Sequence, residues 1–170
     1  MDLKKIIRDI PDFPEKGIIF KDITTLLKDA GGFKKSIDLM VEYYDNYEVD
    51  YIVGIEARGF IYAAPMAYAM NKGFIPIRKP GKLPAEKVSA EYELEYGSNQ
   101  IEIHVDAINP GDKVLLIDDL LATGGTVRAA VDLIEKLGGE IAGIGFLLEL
   151  CFLDGRQELE GYDVFTLLQE

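Results

Sequence analysis

The sequence predicts an α/β fold, a doubly wound and mainly parallel sheet flanked by helices. Three observations predict it. Short apolar runs such as YIVGI (51–55) and KVLLI (113–117) carry no polar alternation, as expected of strands covered on both faces. Stretches with apolar residues at helical spacing fall between these runs. Glycine-bearing turns follow the strands, where such folds bind ligands.

The elements follow in order. Leu3, Ile6 and Ile7 line one face of a short first helix, which Pro11 closes. Residues 11–25 read as irregular, punctuated by Pro11, Pro14 and Gly17. Phe33, Ile37, Met40, Val41 and Tyr44 mark a helix over about 32–46. Residues 51–55 form a strand, 59–72 a mostly buried helix, and 74–77 a second strand. A polar segment, 78–89, contains Pro80, Gly81 and Pro84. Residues 91–96 and 100–105 alternate with period two around Gly97-Ser98-Asn99, which predicts a β-hairpin. Residues 113–117 form a core strand, and 126–137 an amphipathic helix that Gly138-Gly139 ends. Strands over 141–150 and 164–168 complete the sheet.

Composition narrows the function. A length of 170 residues suits one domain, and 48% hydrophobic content supplies a core. No apolar run approaches the ~20 residues of a membrane span, and residues 1–13 are too short and charged for a signal peptide. The lone Cys151 excludes an internal disulfide and any multi-cysteine metal site, so a reducing, cytoplasmic setting is expected. The net charge of −12 argues against a protein whose main task is coating nucleic acid. A substrate carrying several phosphates would then need its cationic and N–H groups gathered at one site.

The segment VLLIDDLLATGGT (114–126) provides one. It begins as a strand, reaches two carboxylates, passes through a loop of small residues and opens a helix. Gly124 and Gly125 allow the backbone to approach a bound group closely, and Thr123 and Thr126 add hydroxyl donors. The helix N-terminus favours an anion. Asp118 and Asp119 would repel a phosphate but suit vicinal hydroxyls or the waters of a Mg²⁺. A monophosphate at one end and a diol at the other describe a ribose 5-phosphate. A surface turn with capping threonines, or a phosphoacceptor or metal-dependent phosphotransfer site, could share the paired aspartates, but neither accounts for ATGGT.

This segment resembles the binding signature for 5-phosphoribosyl pyrophosphate (PRPP) of the type I phosphoribosyltransferases. Other stretches resemble the adenine-specific branch of that family: PDFPEKGIIFKDIT (11–24), GIEARGF (54–60), IRKPGKLP (77–84) and LEYG (94–97). They occur in the family's order over most of the chain. The resemblance implies a single domain over 1–170, with 1–32 contributing to the base site and 78–105 forming a flexible hood. It further implies Mg²⁺-dependent transfer of phosphoribosyl from PRPP to adenine, giving AMP and pyrophosphate, by a homodimer.

Roles for residues follow from the same resemblance. Asp118, Asp119, Ala122, Thr123, Gly124, Gly125 and Thr126 would hold the ribose phosphate. Glu56, Ala57, Arg58 and Gly59 would cradle pyrophosphate, with a cis peptide between Glu56 and Ala57, and Arg78, Lys79 and Lys82 would neutralise it. On pattern alone those last three are also consistent with a solvated basic loop. Some relatives carry another basic residue where this chain has Pro80. Ile19, Phe20 and Lys21 would hold adenine: the Phe20 ring stacks on the purine, and the Ile19 carbonyl and Lys21 N–H read its edge. Leu120 and Leu150 would pack nearby. Glu95 would exchange a proton with the base, and Tyr96 would help close the hood. Mg²⁺ would be held mainly through PRPP and water, with Asp118 as the candidate protein ligand. His104 and Cys151 are each isolated and read as a strand histidine and a small buried thiol.

Two alternatives accompany this reading. The hypoxanthine–guanine branch usually has an acid where this chain has Ala122, which makes another purine base the second choice. A PRPP-sensing regulator that binds nucleic acid could keep the same motif, but it would need a basic face.

Overall fold

The computed structural model describes residues 2–93 and 97–170. The first element is a 3₁₀ turn, Lys4–Ile6, followed by β1 (Arg8–Pro11) and β2 (Ile19–Asp22). Next come α1 (Thr24–Lys28), α2 (Ala30–Tyr44), β3 (Tyr51–Ile55), α3 (Gly59–Ala69) and β4 (Gly73–Ile77). The hairpin strands are β5 (Lys87–Glu93) and β6 (Ser98–His104). The chain ends with β7 (Lys113–Leu121), α4 (Gly125–Lys136), β8 (Glu140–Glu149), two 3₁₀ segments (Cys151–Leu153 and Gly155–Leu159) and β9 (Val164–Gln169).

Five strands form the central sheet in the order β4-β3-β7-β8-β9, and every pair is parallel. The apolar runs are buried because both faces are covered. One face packs Val53, Val114, Leu116 and Ile144 against α4 and the β5–β6 hairpin. The other packs Ile52, Leu115, Ile117 and Leu147 against α2 and α3. Among the described residues no helix is long and apolar enough to cross a membrane.

The order places β3 and β7 side by side although they connect in opposite directions across the sheet. β3 leads through α3 to β4 on one side, and β7 leads through α4 to β8 on the other. Their carboxyl ends flank a topological switch point, where open α/β sheets leave a crevice.

Several local readings are corrected. The predicted N-terminal helix is a single 3₁₀ turn, and residues 8–11 pair antiparallel with 19–22 in a stretch read as irregular. Opposite charges stabilise that pairing: Arg8 donates to Asp22 through Nε at 3.0 Å, and Lys21 pairs with Asp9 at 2.8 Å. The central strand runs beyond the paired carboxylates, because the Asp118 and Leu120 positions continue the ladder against Phe146 and Leu148 of β8. Ser98 and Asn99, read as a turn, belong to β6 opposite Glu93 and Tyr92. Val88, Ala90 and Tyr92 alternate and pack half-buried on the core, so the first hairpin strand begins before the stretch read as its start.

Candidate active site

A cleft of about 430 Å³ opens at the switch point. Its floor is the carboxyl end of β7, with Asp118, Asp119, Leu120 and Leu121; one wall is the turn after β3, with Glu56, Ala57 and Arg58. The loop Ala122-Thr123-Gly124-Gly125 and the start of α4, with Thr126 and Val127, close a second side. Lys79 stands at the rim, and Tyr92 and Asn99 reach in from the hairpin.

The loop takes its shape from Gly124. Its φ of 90° lies in the left-handed region, and a β-carbon there would stand 2.6 Å from the carbonyl oxygen of Gly155. This turn brings the unpaired N–H groups of the first turn of α4 to the cleft, where they and the helix dipole favour an anion.

The two carboxylates differ in their surroundings. Asp118 accepts the backbone N–H of Asp119 at 2.8 Å and packs against the start of α3, where a β-carbon on Gly59 would come within 2.7 Å of its Oδ1. Only a glycine fits between α3 and that oxygen. Asp119 is buried and pairs with Arg58 at 2.9 Å. Burial raises the Asp118 carboxyl well above the usual carboxylate range, and the adjacent Asp119 charge adds to the shift. Burial also raises Asp119, opposed by the Arg58 charge. Two carboxyl groups that ionise reluctantly in a cleft are suited to hydroxyl donors or an incoming cation.

Arg58 has two contacts. While paired with Asp119, its guanidinium lies 5.9 Å from the centre of the Phe20 ring. It therefore links the β3–α3 turn to the N-terminal segment. Phe20 is held edge-on by Phe13 at 5.2 Å, and Lys21 is tied to Asp9 and, at 3.4 Å, to Glu170. Ile19 is exposed.

Glu56 stands in the cleft wall with its carboxylate engaged by the basic segment. Its carboxylate accepts the backbone N–H of Lys79 at 2.7 Å and a hydrogen bond from Arg78 at 3.3 Å. The Lys79 N–H, more than any other contact, lowers the Glu56 carboxyl below its usual range. The peptide between Glu56 and Ala57 is cis. Arg78 also forms a two-way backbone bridge with Glu102 of β6, whose buried carboxylate accepts the Gly81 N–H at 3.3 Å.

The structure thus gathers Glu56, Ala57, Arg58, Lys79, Asp118, Asp119, Leu120 and residues 122–126 around one cleft. Phe20 reaches it through Arg58, and Gly59 through Asp118. Arg78 lies behind Glu56, and Lys82 is exposed on the same loop. Ile19, Lys21 and Leu150 stand outside the lining; Leu150 packs half-buried on the same core cluster as Leu120. Glu95 and Tyr96 fall outside the described residues. Tyr92 and Asn99 were not singled out from the sequence, although the alternation at 88, 90 and 92 points one hairpin face at the core. His104 accepts the Ala85 N–H at 3.3 Å, and Cys151 is exposed, not buried as its residue type suggested. Among the described residues no three His, Cys, Asp or Glu side chains assemble as a metal-ligand set.

Comparison with known proteins adds the following. A family model described as phosphoribosyl transferase domain matches residues 22–165. A relative from Halothermothrix orenii, an adenine phosphoribosyltransferase, is 71% identical over 170 residues and is covered over 100% of both chains. The crystal structure of adenine phosphoribosyltransferase from Thermoanaerobacter pseudethanolicus superposes with a TM-score of 0.95 at 54% identity, covering 99% of this chain and 98% of that one. The Saccharomyces cerevisiae enzyme, complexed with D-2,5-dideoxy-2,5-imino-altritol 1,6-bisphosphate and adenine, gives 0.92 at 43% identity, with 98% and 96% covered.

Proposed function

The chain belongs to the phosphoribosyltransferase family, in its adenine-specific branch, and we propose from that premise how its residues carry the reaction. It transfers the 5-phosphoribosyl group of PRPP to adenine, releasing pyrophosphate and forming AMP.

The observation that carries the assignment of roles is the junction of two unlike surfaces in one cleft. Backbone N–H groups and the α4 N-terminus lie on one side, and the paired Asp118 and Asp119 on the other. In our reading Ala122–Thr126 binds the 5-phosphate, and the two carboxylates accept hydrogen bonds from the ribose hydroxyls. Charge that builds on the sugar as its bond to pyrophosphate lengthens faces those carboxylates, which favours an oxocarbenium-like transition state. The reaction needs no nucleophilic side chain; the protein orients two substrates and excludes water.

Pyrophosphate takes the turn Glu56–Gly59 and the basic side chains of Arg78, Lys79 and Lys82. Glu56 serves by fixing Arg78 and Lys79, since its own charge would repel the product. Adenine takes the space between Phe20, Leu120 and Leu150, with Ile19 and Lys21 at its edge. The position of Arg58 supports this, because one guanidinium touches both Phe20 and Asp119 and so marks the border between base and sugar. The yeast relative's complex with adenine and a bisphosphorylated imino sugar supports the same pairing of subsites. Glu95 is the proton carrier to the base.

Mg²⁺ fits the donors present as a cation brought in with PRPP. Asp119 is already neutralised by Arg58, which leaves Asp118 as the carboxylate to meet it. When bound, the ion supplies charge neutralisation to the pyrophosphate leaving group.

We further read residues 1–170 as one cytoplasmic domain, with the base segment in 1–32 and the hood in 78–105, acting as a homodimer without nucleic acid. Tyr68 on α3 and Phe74 on the edge strand β4 are exposed aromatics that support association on that side.

The test is turnover of PRPP and Mg²⁺ with adenine, hypoxanthine, guanine and xanthine separately, measuring nucleotide and pyrophosphate, for the native chain and for Thr126→Ala and Phe20→Ala. The expected result is AMP from adenine alone. The cradle variant should be weakened towards PRPP, and the ring variant towards adenine. Weakening in the opposite pairing would overturn the assignment.

A further inference from the structure

Outside the cleft, hydrogen bonds from three side chains that the mechanism leaves unused converge on Glu149. This residue ends β8, and its carboxylate is buried. It accepts Arg156 Nε at 2.9 Å and Nη2 at 2.8 Å, Thr166 Oγ1 at 2.9 Å and Gln169 Nε2 at 3.1 Å. The Arg156 fork also donates through Nη1 to the carbonyl of Val164 at 2.9 Å. Two-pronged carboxylate pairing fixes an arginine in direction as well as position. Arg156 therefore fastens the 3₁₀ segment Gly155–Leu159 onto β8 and β9, and Leu159 anchors its far end in the core.

The residue before this arginine touches the phosphate loop. Gly155 is buried, and a β-carbon on it would stand 2.2 Å from the carbonyl oxygen of Ala122 and 3.1 Å from the nitrogen of Gly124. The converse also holds, since a β-carbon on Gly124 would meet the Gly155 carbonyl at 2.6 Å and Glu158 at 3.0 Å. The two backbones meet with no side chain between them. A loop whose N–H groups must converge on an anion is thus supported from behind by a segment that is itself clamped by Arg156 on the buried Glu149 carboxylate.

We propose that Gly155 and Arg156 are positioning residues for PRPP, holding the Ala122–Gly125 turn in its anion-binding shape. The inference rests on reading 122–126 as the 5-phosphate cradle. Neither residue needs to touch substrate. The dependence is steep because displacing a bound group by ~1 Å can cost about a hundredfold in rate.

The experiment compares the whole enzyme with Gly155→Ala, Arg156→Ala and Arg156→Lys, and with Thr126→Ala as a variant inside the loop. It measures KM for PRPP, KM for adenine, kcat and Tm. Gly155→Ala is expected to raise the PRPP KM about tenfold or more, by the same displacement argument, with a smaller change in the adenine KM. Arg156→Ala should shift it in the same direction, and Arg156→Lys should recover part of the loss. Should Gly155→Ala fail to fold, the two Arg156 variants carry the test. If folded Gly155→Ala or Arg156→Ala enzyme keeps the native PRPP KM while Thr126→Ala loses it, the brace is refuted and the cradle stands. A lowered Tm with native KM values also refutes it, since the role is then structural alone. If Thr126→Ala too keeps the native PRPP KM, the cradle reading fails and this inference with it.

Discussion

The backbone N–H of Lys79 donates to the carboxylate of Glu56 at 2.7 Å, so the acid of the β3–α3 turn is engaged by the basic segment at the wall of the cleft. Glu56→Gln keeps an acceptor for that N–H but removes the charge that holds Arg78. The pyrophosphate KM of the reverse reaction should rise roughly threefold, the scale of a partly exposed ion pair, with the adenine KM unchanged. Steady-state kinetics in both directions checks it; an unchanged pyrophosphate KM would remove Glu56 from that role.

Phe20 offers the base a ring that Phe13 and Arg58 already hold in place. Loss of a stacking ring costs ~1–3 kcal/mol, so Phe20→Ala should raise the adenine KM by about tenfold to a hundredfold. The PRPP KM should move less. Initial-rate measurements with each substrate varied in turn would expose the reverse pattern.

At Asp118 the expected loss lies with PRPP. Asp118→Asn replaces an acceptor oxygen in the cleft by a donor, and the PRPP dissociation constant measured by calorimetry with Mg²⁺ should rise about tenfold or more. Unaltered binding would show that the ribose hydroxyls are held elsewhere.

For Glu95, proton transfer to and from the base predicts a fall in kcat of about a hundredfold for Glu95→Gln, the usual scale of general acid–base catalysis. Both KM values should stay near native. A native kcat would assign the proton step to another group.

Acid should loosen the N-terminal hairpin first. Hydrogen bonds from Thr24, then from Arg8, lower the Asp22 carboxyl from 3.8 to about 2. A carboxyl depressed in the folded state adds stability above its unfolded value and loses it as pH falls through the folded one. Native Tm should therefore decline between pH 4 and 2, a window set by those two values, and Asp22→Asn should flatten that decline. Calorimetric melting across this range decides it; an equally steep decline in the variant would acquit Asp22.

The parallel strands were legible because burial on both faces leaves no polar residue to interrupt them, as in 51–55 and 113–117. The phosphate loop was legible because its glycines and threonines follow such a strand directly. What escaped depends on partners distant in sequence. The β1–β2 pairing rests on Arg8–Asp22 and Asp9–Lys21, which no local period announces. The extension of β7 through Asp118 to Leu121 depends on hydrogen bonds offered by β8. The contact of Gly155 with Ala122 is made between backbones, and a backbone surface leaves no trace in residue chemistry beyond the glycine itself.

The last strand has a consequence for how the site is acquired. β9 is the edge strand of the central sheet, paired with β8, and Glu170 beyond it forms ion pairs with both Lys4 and Lys21. Contacts between opposite ends of a chain require the largest loop closures, and they reward folding late. β9 also carries Val164 and Thr166, which hold Arg156 behind the Ala122–Gly125 turn. The strand that brings the two ends together is thus the one that completes the support of the ribose-phosphate half of the cleft. On refolding, binding of PRPP and of adenine is therefore expected to return together.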